Sequence, residues 1–136
     1  MTRRRTRHQL EIEVFGEPRS RLAERCACHA ALARCWRLLE RRHADPALDL
    51  GTAATACSVE RSYLNRLLRQ ATGFTFHQLL IRWRVYRVAL EVRDPDRKII
   101  DAAYDAGFRS LRSLQRNFQR VFGMTAQQYG RMWSER

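Results

Sequence analysis

An amide side chain followed directly by an arginine occurs at two matching places in the chain. Asn65-Arg66 comes back fifty residues later as Gln115-Arg116. An amide can hydrogen-bond bidentately to adenine, and a guanidinium can do the same to the O6 and N7 atoms of guanine. These residue types suit the reading of base pairs in the major groove of DNA. The alternative is that they are ordinary polar residues of exposed helices.

Residues on both sides of this pair recur at nearly the same offset. The matched segments are Leu64-Asn65-Arg66 with Leu114-Gln115-Arg116, Gly73-Phe74-Thr75 with Gly123-Met124-Thr125, and Gln78 with Gln128. Upstream, Ala54 and Ser58-Val59 match Ala103 and Gly107-Phe108 at an offset one residue shorter. A repeat that keeps apolar, glycine and capping positions predicts a repeated tertiary unit.

Apolar periodicity and capping residues predict the elements that carry the two pairs. Asp49 and Thr75 are expected helix N-caps, and Gly73 and Gly123 are expected to end helices. The predicted helices cover about 50–57 and 61–72 in the first repeat, 76–92 between the repeats, and 98–105, 111–122 and 126–133 in the second. A short helix, a tight turn and a second helix with an arginine-bearing outer face are the helix-turn-helix arrangement.

The outward face of each second helix follows from its apolar positions. With Leu64, Leu67 and Leu68 turned inward, one stripe of polar side chains is left at helical spacing. The stripes are Ser62, Asn65, Arg66 and Arg69 in the first repeat, and Arg112, Gln115, Arg116 and Gln119 in the second. Because two stripes match, we interpret them as base-reading faces rather than as ordinary polar surface.

The charge of the chain favours a polyanionic partner. The sequence has 26 Lys+Arg, all but one of them Arg, against 14 Asp+Glu, which gives a formal net charge of +12. Between Asp105 and Glu135 there are five arginines and no acidic residue. Since a solvated charged surface usually mixes signs, we interpret this stretch as facing double-stranded DNA. A protein-interaction module that binds an acidic surface, such as that of RNA polymerase, is the alternative.

The region before the first repeat carries weaker signals. Residues 1–8 read as a basic tail. Within 10–15, Leu10, Ile12 and Val14 alternate with two glutamates as in a strand. A helix is expected over about 20–43, ended by Asp45-Pro46. The resulting boundaries are a tail and strand-like segment at 1–19, a helical segment at 20–47, a first helix-turn-helix subdomain at 48–75, a linker helix at 76–92 and a second subdomain at 93–136. Apart from that strand, the expected fold class is all-α.

The cysteines could indicate a metal or thiol sensor. Cys26, Cys28, His29 and Cys35 offer metal ligands within ten residues. However, Cys28 and Cys35 share a predicted helix stripe with two leucines, which is typical of small core residues, and Cys57 is also expected to be buried. We therefore predict structural cysteines, with no metal, no cofactor and no small-molecule site.

Other functional classes find little support in the sequence. There is no Ser-His-Asp pattern, no glycine-rich phosphate loop and no cluster of carboxylates, so an enzyme is not expected. No apolar run approaches the roughly 20 residues of a membrane span. The first residues lack the apolar segment of a secretory signal, so the sequence predicts a cytoplasmic protein.

Motifs between residues 48 and 133 resemble the DNA-binding domain of the AraC/XylS family of bacterial transcription regulators. They are Tyr63-Leu64-x-Arg66-Leu67, Gly73-Phe74-Thr75-Phe76, Arg84, Ala103-x-x-Ala106-Gly107-Phe108, and Arg116-x-Phe118-x-x-x-Phe122-Gly123-Met124-Thr125 with Tyr129 after it. The resemblance implies two homeodomain-like helix-turn-helix subdomains joined by a long linker helix. It also implies that both recognition helices enter successive major grooves on one face of the DNA.

The resemblance assigns roles to single residues. Its base-reading positions fall at Ser62, Asn65, Arg66, Leu111, Arg112 and Arg116. Arginines placed beside these are expected to contact phosphates, which fix the register without reading sequence; they are Arg61, Arg69, Arg84, Arg109 and Arg120. Ser58 occupies a turn position where the family usually has glycine, so a positive φ there is expected to carry strain.

Regulators of this family commonly carry a separate ligand-binding and dimerisation domain. Only about 47 residues precede the first repeat here. The expectation is therefore either a stand-alone DNA-binding protein or a degenerate fragment of a regulator that has lost its sensor domain. The strand-like segment would be a remnant of such a domain or a dimerising edge.

Overall fold

The structure, a computed structural model, describes residues 6–134, and over that range its regular secondary structure is all helix. Its helices are α1 Arg7–Phe15, α2 Arg19–Ala27, α3 Ala30–Arg42, α4 Leu50–Ala56, α5 Arg61–Thr72, α6 Phe76–Glu91, α7 Ile99–Asp105, α8 Leu111–Phe122 and α9 Ala126–Ser134. The predicted all-α fold is confirmed, and the helices from residue 50 onward match the predicted bounds to within about one residue. Of the predicted basic tail, residues 1–5 lie outside the described range.

The segment predicted to be a strand is helix α1, so that prediction is wrong. The Thr6 side chain accepts a hydrogen bond from the Gln9 N–H, and the Gln9 side chain accepts one from the Thr6 N–H. This capping box starts a helix. Leu10 and Val14, four residues apart, then share the buried face, while Ile12 between them stays 43% exposed.

The helix predicted over 20–43 is in fact two helices, α2 and α3. His29 adopts an extended conformation, with φ −135° and ψ 128°, and its Nδ1 accepts a hydrogen bond from the Ala31 N–H at 3.1 Å. It therefore caps a new helix and breaks the old one. The break takes Cys28 out of the predicted apolar stripe and leaves it exposed, whereas Cys35 is buried.

Six helices form two similar units, α3–α4–α5 and α6–α7–α8, whose members pack on one another. The same turn follows the first helix of each unit. The Asp45 carboxylate accepts the N–H of Ala47, and the Asp94 carboxylate accepts the N–H of Asp96, both at 2.9 Å. Each unit thus begins with a helix, α3 or α6, that the sequence repeat did not include. The linker helix α6 also serves as the first helix of the second unit.

Helix α6 lies at the centre of the molecule. Its buried residues include Phe76, Leu80, Trp83, Val85 and Tyr86, which lie around most of its circumference. Helices α1 and α2, which we call the N-terminal helix pair, belong to neither unit: α1 packs on α6 and α8, and α2 packs on α3 and α5. In the part of the chain that the structure describes, none of the helices has the length and apolar character needed to cross a bilayer.

Candidate nucleic-acid interface

Helix α5 has one buried face and one free polar face. Leu64 and Leu68 are fully buried, and Ser62 and Arg66 are exposed on the opposite side. The structure adds Tyr63 to this face, since its ring is 37% exposed and lies 5.3 Å from the Arg66 guanidinium carbon. An aromatic ring beneath a guanidinium holds it in place while leaving its donors available.

Helix α8 repeats this arrangement in the second unit. The Ser110 side chain accepts the N–H of Ser113 at 3.0 Å and starts the helix, and Leu114 is fully buried. Arg112 and Arg116 are exposed on the outer face. Among residues 6–134, none of Arg66, Arg112 and Arg116 has a carboxylate partner. Their charges are therefore available to a polyanion.

The two matching amides have a structural role instead of facing outward. The Oδ1 atom of Asn65 accepts the N–H of Phe76 at 2.9 Å, and the Oε1 atom of Gln115 accepts the N–H of Ala126 at 3.2 Å. Phe76 and Ala126 are the first residues of α6 and α9, where backbone N–H groups lack partners within the helix. The repeated amide thus ties each recognition helix to the next helix. Each carboxamide oxygen, which a bidentate contact to adenine would need, is thus already engaged by a backbone N–H.

Two further expected contacts are also placed differently from the prediction. Leu111 is half-buried and packs against the core. Arg84 is 7% exposed, and it donates from Nε to the His43 carbonyl at 2.7 Å and from Nη2 to the Asp45 carbonyl at 2.8 Å. Burial lowers the pKa of Arg84. Its guanidinium joins the loop after α3 to α6, and it is not placed to contact phosphate.

The other four arginines predicted to bind phosphate are exposed at the edges of the two faces. Arg69 and Arg120 lie in the last turns of α5 and α8. Arg109 donates to the Pro46 carbonyl at 3.1 Å, so its charge is held beside the loop between α3 and α4. Arg61, at the start of α5, lies against α4. These positions flank the outward faces, as phosphate contacts do.

The turns that set the angle between the helices in each unit are alike. Ser58 has φ +59° and Gly107 has φ +101°, and no other non-glycine residue in the described range has a positive φ. The expected strain at Ser58 is therefore present, because a side chain disfavours this backbone region. Position 107 requires glycine for a second reason as well, because a Cβ there would lie 2.8 Å from Nε of Arg84.

Three of the four cysteines belong to the core. Cys26, Cys35 and Cys57 are fully buried, and Cys28 is exposed. Burial raises the pKa of Cys26 to about 11, and a hydrogen bond with Cys57 together with burial raises the pKa of Cys35. The high pKa values make the thiols of Cys26 and Cys35 unreactive at neutral pH. A hydrogen bond with Cys35 lowers the pKa of Cys57 to about 7, so full burial is what keeps this thiol from reagents. No group of three or more His, Cys, Asp or Glu residues within 6–134 is arranged to hold a metal ion.

Comparisons with known proteins agree with this geometry. A family profile described as a helix-turn-helix domain matches residues 53–132. The regulatory protein SoxS of Escherichia coli is 31% identical over 87 residues, which span 64% of this chain and 81% of SoxS. The melibiose operon regulatory protein of Escherichia coli is 28% identical over 92 residues, which span 68% of this chain and 30% of that protein.

Solved structures share the fold. The C-terminal domain of AraT, a response regulator from Geobacillus stearothermophilus, matches with a TM-score of 0.73 and 22% identity, over 76% of this chain and 86% of that one. The DNA-binding domain of AdpA, a global transcriptional factor solved in complex with a target DNA, matches with a TM-score of 0.67 and 27% identity, over 85% of this chain and 94% of that one. The family profile covers more than half of the chain, and the protein therefore belongs to the AraC/XylS family.

Proposed function

We propose that this protein is a sequence-specific, double-stranded DNA-binding transcription regulator that places α5 and α8 in successive major grooves on one face of the DNA. One observation carries the proposal. Arg66 and Arg116 occupy the same position of two repeated helices, both are exposed, and neither has a carboxylate partner in the described range. An exposed guanidinium without a carboxylate partner can donate two hydrogen bonds to a guanine.

The exposed residues divide into two proposed roles. Ser62, Arg66, Arg112 and Arg116 lie on the outward faces and would contact base edges. Arg61, Arg69, Arg109 and Arg120 lie at the margins and would contact phosphates on either side of each groove. Asn65, Gln115 and Arg84 are not among the proposed DNA contacts, because both amide oxygens and the Arg84 guanidinium hydrogen-bond to the protein backbone.

The experiment compares two arginines of α8 that differ in proposed role. Arg116→Ala and Arg120→Ala each remove one positive charge from the same exposed helix. Arg116→Ala should cost about 1–3 kcal/mol on a selected site and relax the preference at particular base pairs. Arg120→Ala should weaken all sequences alike and make the dependence of affinity on salt shallower. Titrations of both variants on selected and scrambled duplexes, at several salt concentrations, measure these effects.

Competition separates this function from general polyanion binding. Labelled selected duplex should be displaced by unlabelled selected duplex far better than by heparin or by an acidic protein. Equal displacement by heparin would indicate general polyanion binding, and equal displacement by the acidic protein would point to an acidic protein surface as the partner. An unchanged base preference in Arg116→Ala would show that α8 does not read sequence through this residue.

A further inference from the structure

The N-terminal helix pair links the two recognition helices by a route that does not pass along the linker helix. α2 packs on α5 of the first unit, and α1 packs on α8 of the second. Along the main chain, only Gly73, Phe74 and Thr75 separate α5 from α6. Asn65 and Arg84 also join the first unit to the linker helix, both through contacts with α6 itself. The helix pair adds a separate connection, which reaches α5 and α8 from their other neighbours.

Arg19, at the start of α2, is the centre of this connection. Its Nε donates to Glu11 of α1 at 2.8 Å, and its Nη2 donates to the Tyr86 hydroxyl of α6 at 3.2 Å. The guanidinium carbon also lies 4.2 Å from the centre of the Tyr86 ring and 4.9 Å from that of Trp83. One side chain therefore joins three helices through an ion pair, a hydrogen bond and cation–π contacts.

Two other arginines connect the helix pair to α5 and α6 by donating to carbonyl groups in the last turns of helices. Arg25 of α2 donates from Nε to the Ala71 carbonyl near the end of α5, and Glu17 holds its guanidinium with two hydrogen bonds. Arg82 of α6 donates to the Val14 carbonyl near the end of α1 at 2.7 Å. Carbonyl groups at helix ends lack partners within their own helix, so these contacts use sites that are otherwise open.

From these contacts we propose that the N-terminal helix pair acts as a clamp that fixes the separation and relative rotation of α5 and α8, with Arg19 as its positioning residue. The proposal rests on the proposed function. It extends that function by making the helix pair a determinant of the spacing between the two half-sites that the protein accepts. A rigid pair of recognition helices tolerates only one half-site spacing, whereas a hinged pair tolerates several.

The test compares a duplex of selected sequence with the same duplex carrying one inserted base pair between the two half-sites. The insertion rotates one groove by about a tenth of a turn. Wild-type protein should bind the inserted duplex at least about tenfold more weakly. Arg19→Met, which keeps the apolar stem over the rings but removes the charge and the donors, should reduce this penalty to about threefold or less. Arg25→Ala should act in the same direction.

Arg21→Ala is the matched control, since Arg21 is exposed on the same helix and has no hydrogen-bond or ion-pair partner among the described residues. Arg21→Ala removes the same charge and should show the same loss of affinity for the inserted duplex as the wild-type protein. A spacing penalty in Arg19→Met and Arg25→Ala equal to that of Arg21→Ala would overturn the proposal.

A measurement without DNA separates the clamp from the proposed function. Spin labels at Ser62→Cys and Gln119→Cys, in a Cys28→Ser background, report the distance between the two outward faces. The distance distribution should be narrow in the otherwise unchanged protein and broad in Arg19→Met, while circular dichroism shows that both remain folded. Equal widths would refute the clamp whether or not the protein binds DNA. A narrow distribution that broadens in Arg19→Met would support it even if no specific duplex were found.

Discussion

Replacing Arg84 with methionine tests whether this arginine stabilises the fold or contacts DNA. Arg84→Met keeps much of the apolar stem but removes both hydrogen bonds to the His43 and Asp45 carbonyls. Each bond from a charged donor contributes about 1.5–3 kcal/mol, and part of this is offset because a buried guanidinium no longer has to be desolvated. We expect a net loss of about 2–4 kcal/mol in the free energy of unfolding.

The assay is urea denaturation followed by far-UV circular dichroism, together with thermal melting. For a domain of this size, 1 kcal/mol corresponds to about 4 °C, so the midpoint should fall by roughly 8–16 °C. Arg87→Met is the control, because Arg87 lies on the same helix, is half-buried and pairs with Glu91 at 3.4 Å. A partly exposed pair of this kind contributes at most about 0.5 kcal/mol.

DNA binding completes this test. At a temperature where both variants are folded, Arg84→Met should have the same dependence of affinity on salt as the wild-type protein, because no phosphate contact is lost. Unchanged stability together with a shallower salt dependence would refute the structural role and restore Arg84 as a phosphate contact.

Four further outcomes are expected. Asn65→Ala should lower stability by about 1 kcal/mol, because the Phe76 N–H loses its acceptor, and should leave the selected DNA sequence unchanged; an altered sequence would return Asn65 to base reading. Burial lowers the pKa of His43 below its ordinary 6.5, so the unfolded state takes up a proton there more readily than the folded state does. Stability should therefore be full above about pH 6.5 and fall as the pH drops through the lowered pKa, and urea titrations should show a flatter pH dependence for His43→Gln. In native protein a thiol reagent should modify Cys28 quickly and the other three cysteines only after unfolding; rapid modification of all four would contradict their burial. The 16 residues of α6 make it about 24 Å long, shorter than the roughly 34 Å between successive grooves of straight DNA, so we expect a modest bend towards the protein, measured as anomalous gel mobility when the site is moved along a fragment.

The sequence predicted the helices of both repeats well because their ends carry strong local signals. Asp49 and Thr75 accept hydrogen bonds from the first turns of α4 and α6 as expected, and Gly73 and Gly123 close α5 and α8 with positive φ. The prediction failed at α1 because the five residues of alternating polarity at 10–14 are too short a stretch to distinguish a strand from a helix. The Thr6 capping box was the competing signal, and it decided the structure.

Part of the candidate site could not be predicted because it depends on packing between helices. The exposed arginines of α5 and α8 follow from the apolar stripe of a single helix. Arg84 does not, because α6 is covered on several sides by other elements and the periodicity of one helix cannot show this. The amides of Asn65 and Gln115 lie at the edge of the outward faces, where the start of the next helix turns them away from the groove. The matching Asp45-Pro46 and Asp94-Pro95 pairs could have revealed that α3 and α6 are the first helices of the two units.

Selection of bound duplexes from a random library tests the central claim most directly. We predict a two-part sequence whose halves lie about one helical turn, or 10–10.5 base pairs, apart. Repeating the selection with Arg66→Ala should blur one half only, and with Arg116→Ala the other half only, because each residue belongs to a different recognition helix. No enrichment, or loss of the same base pairs in both variants, would contradict the claim that two helix-turn-helix units read the DNA together.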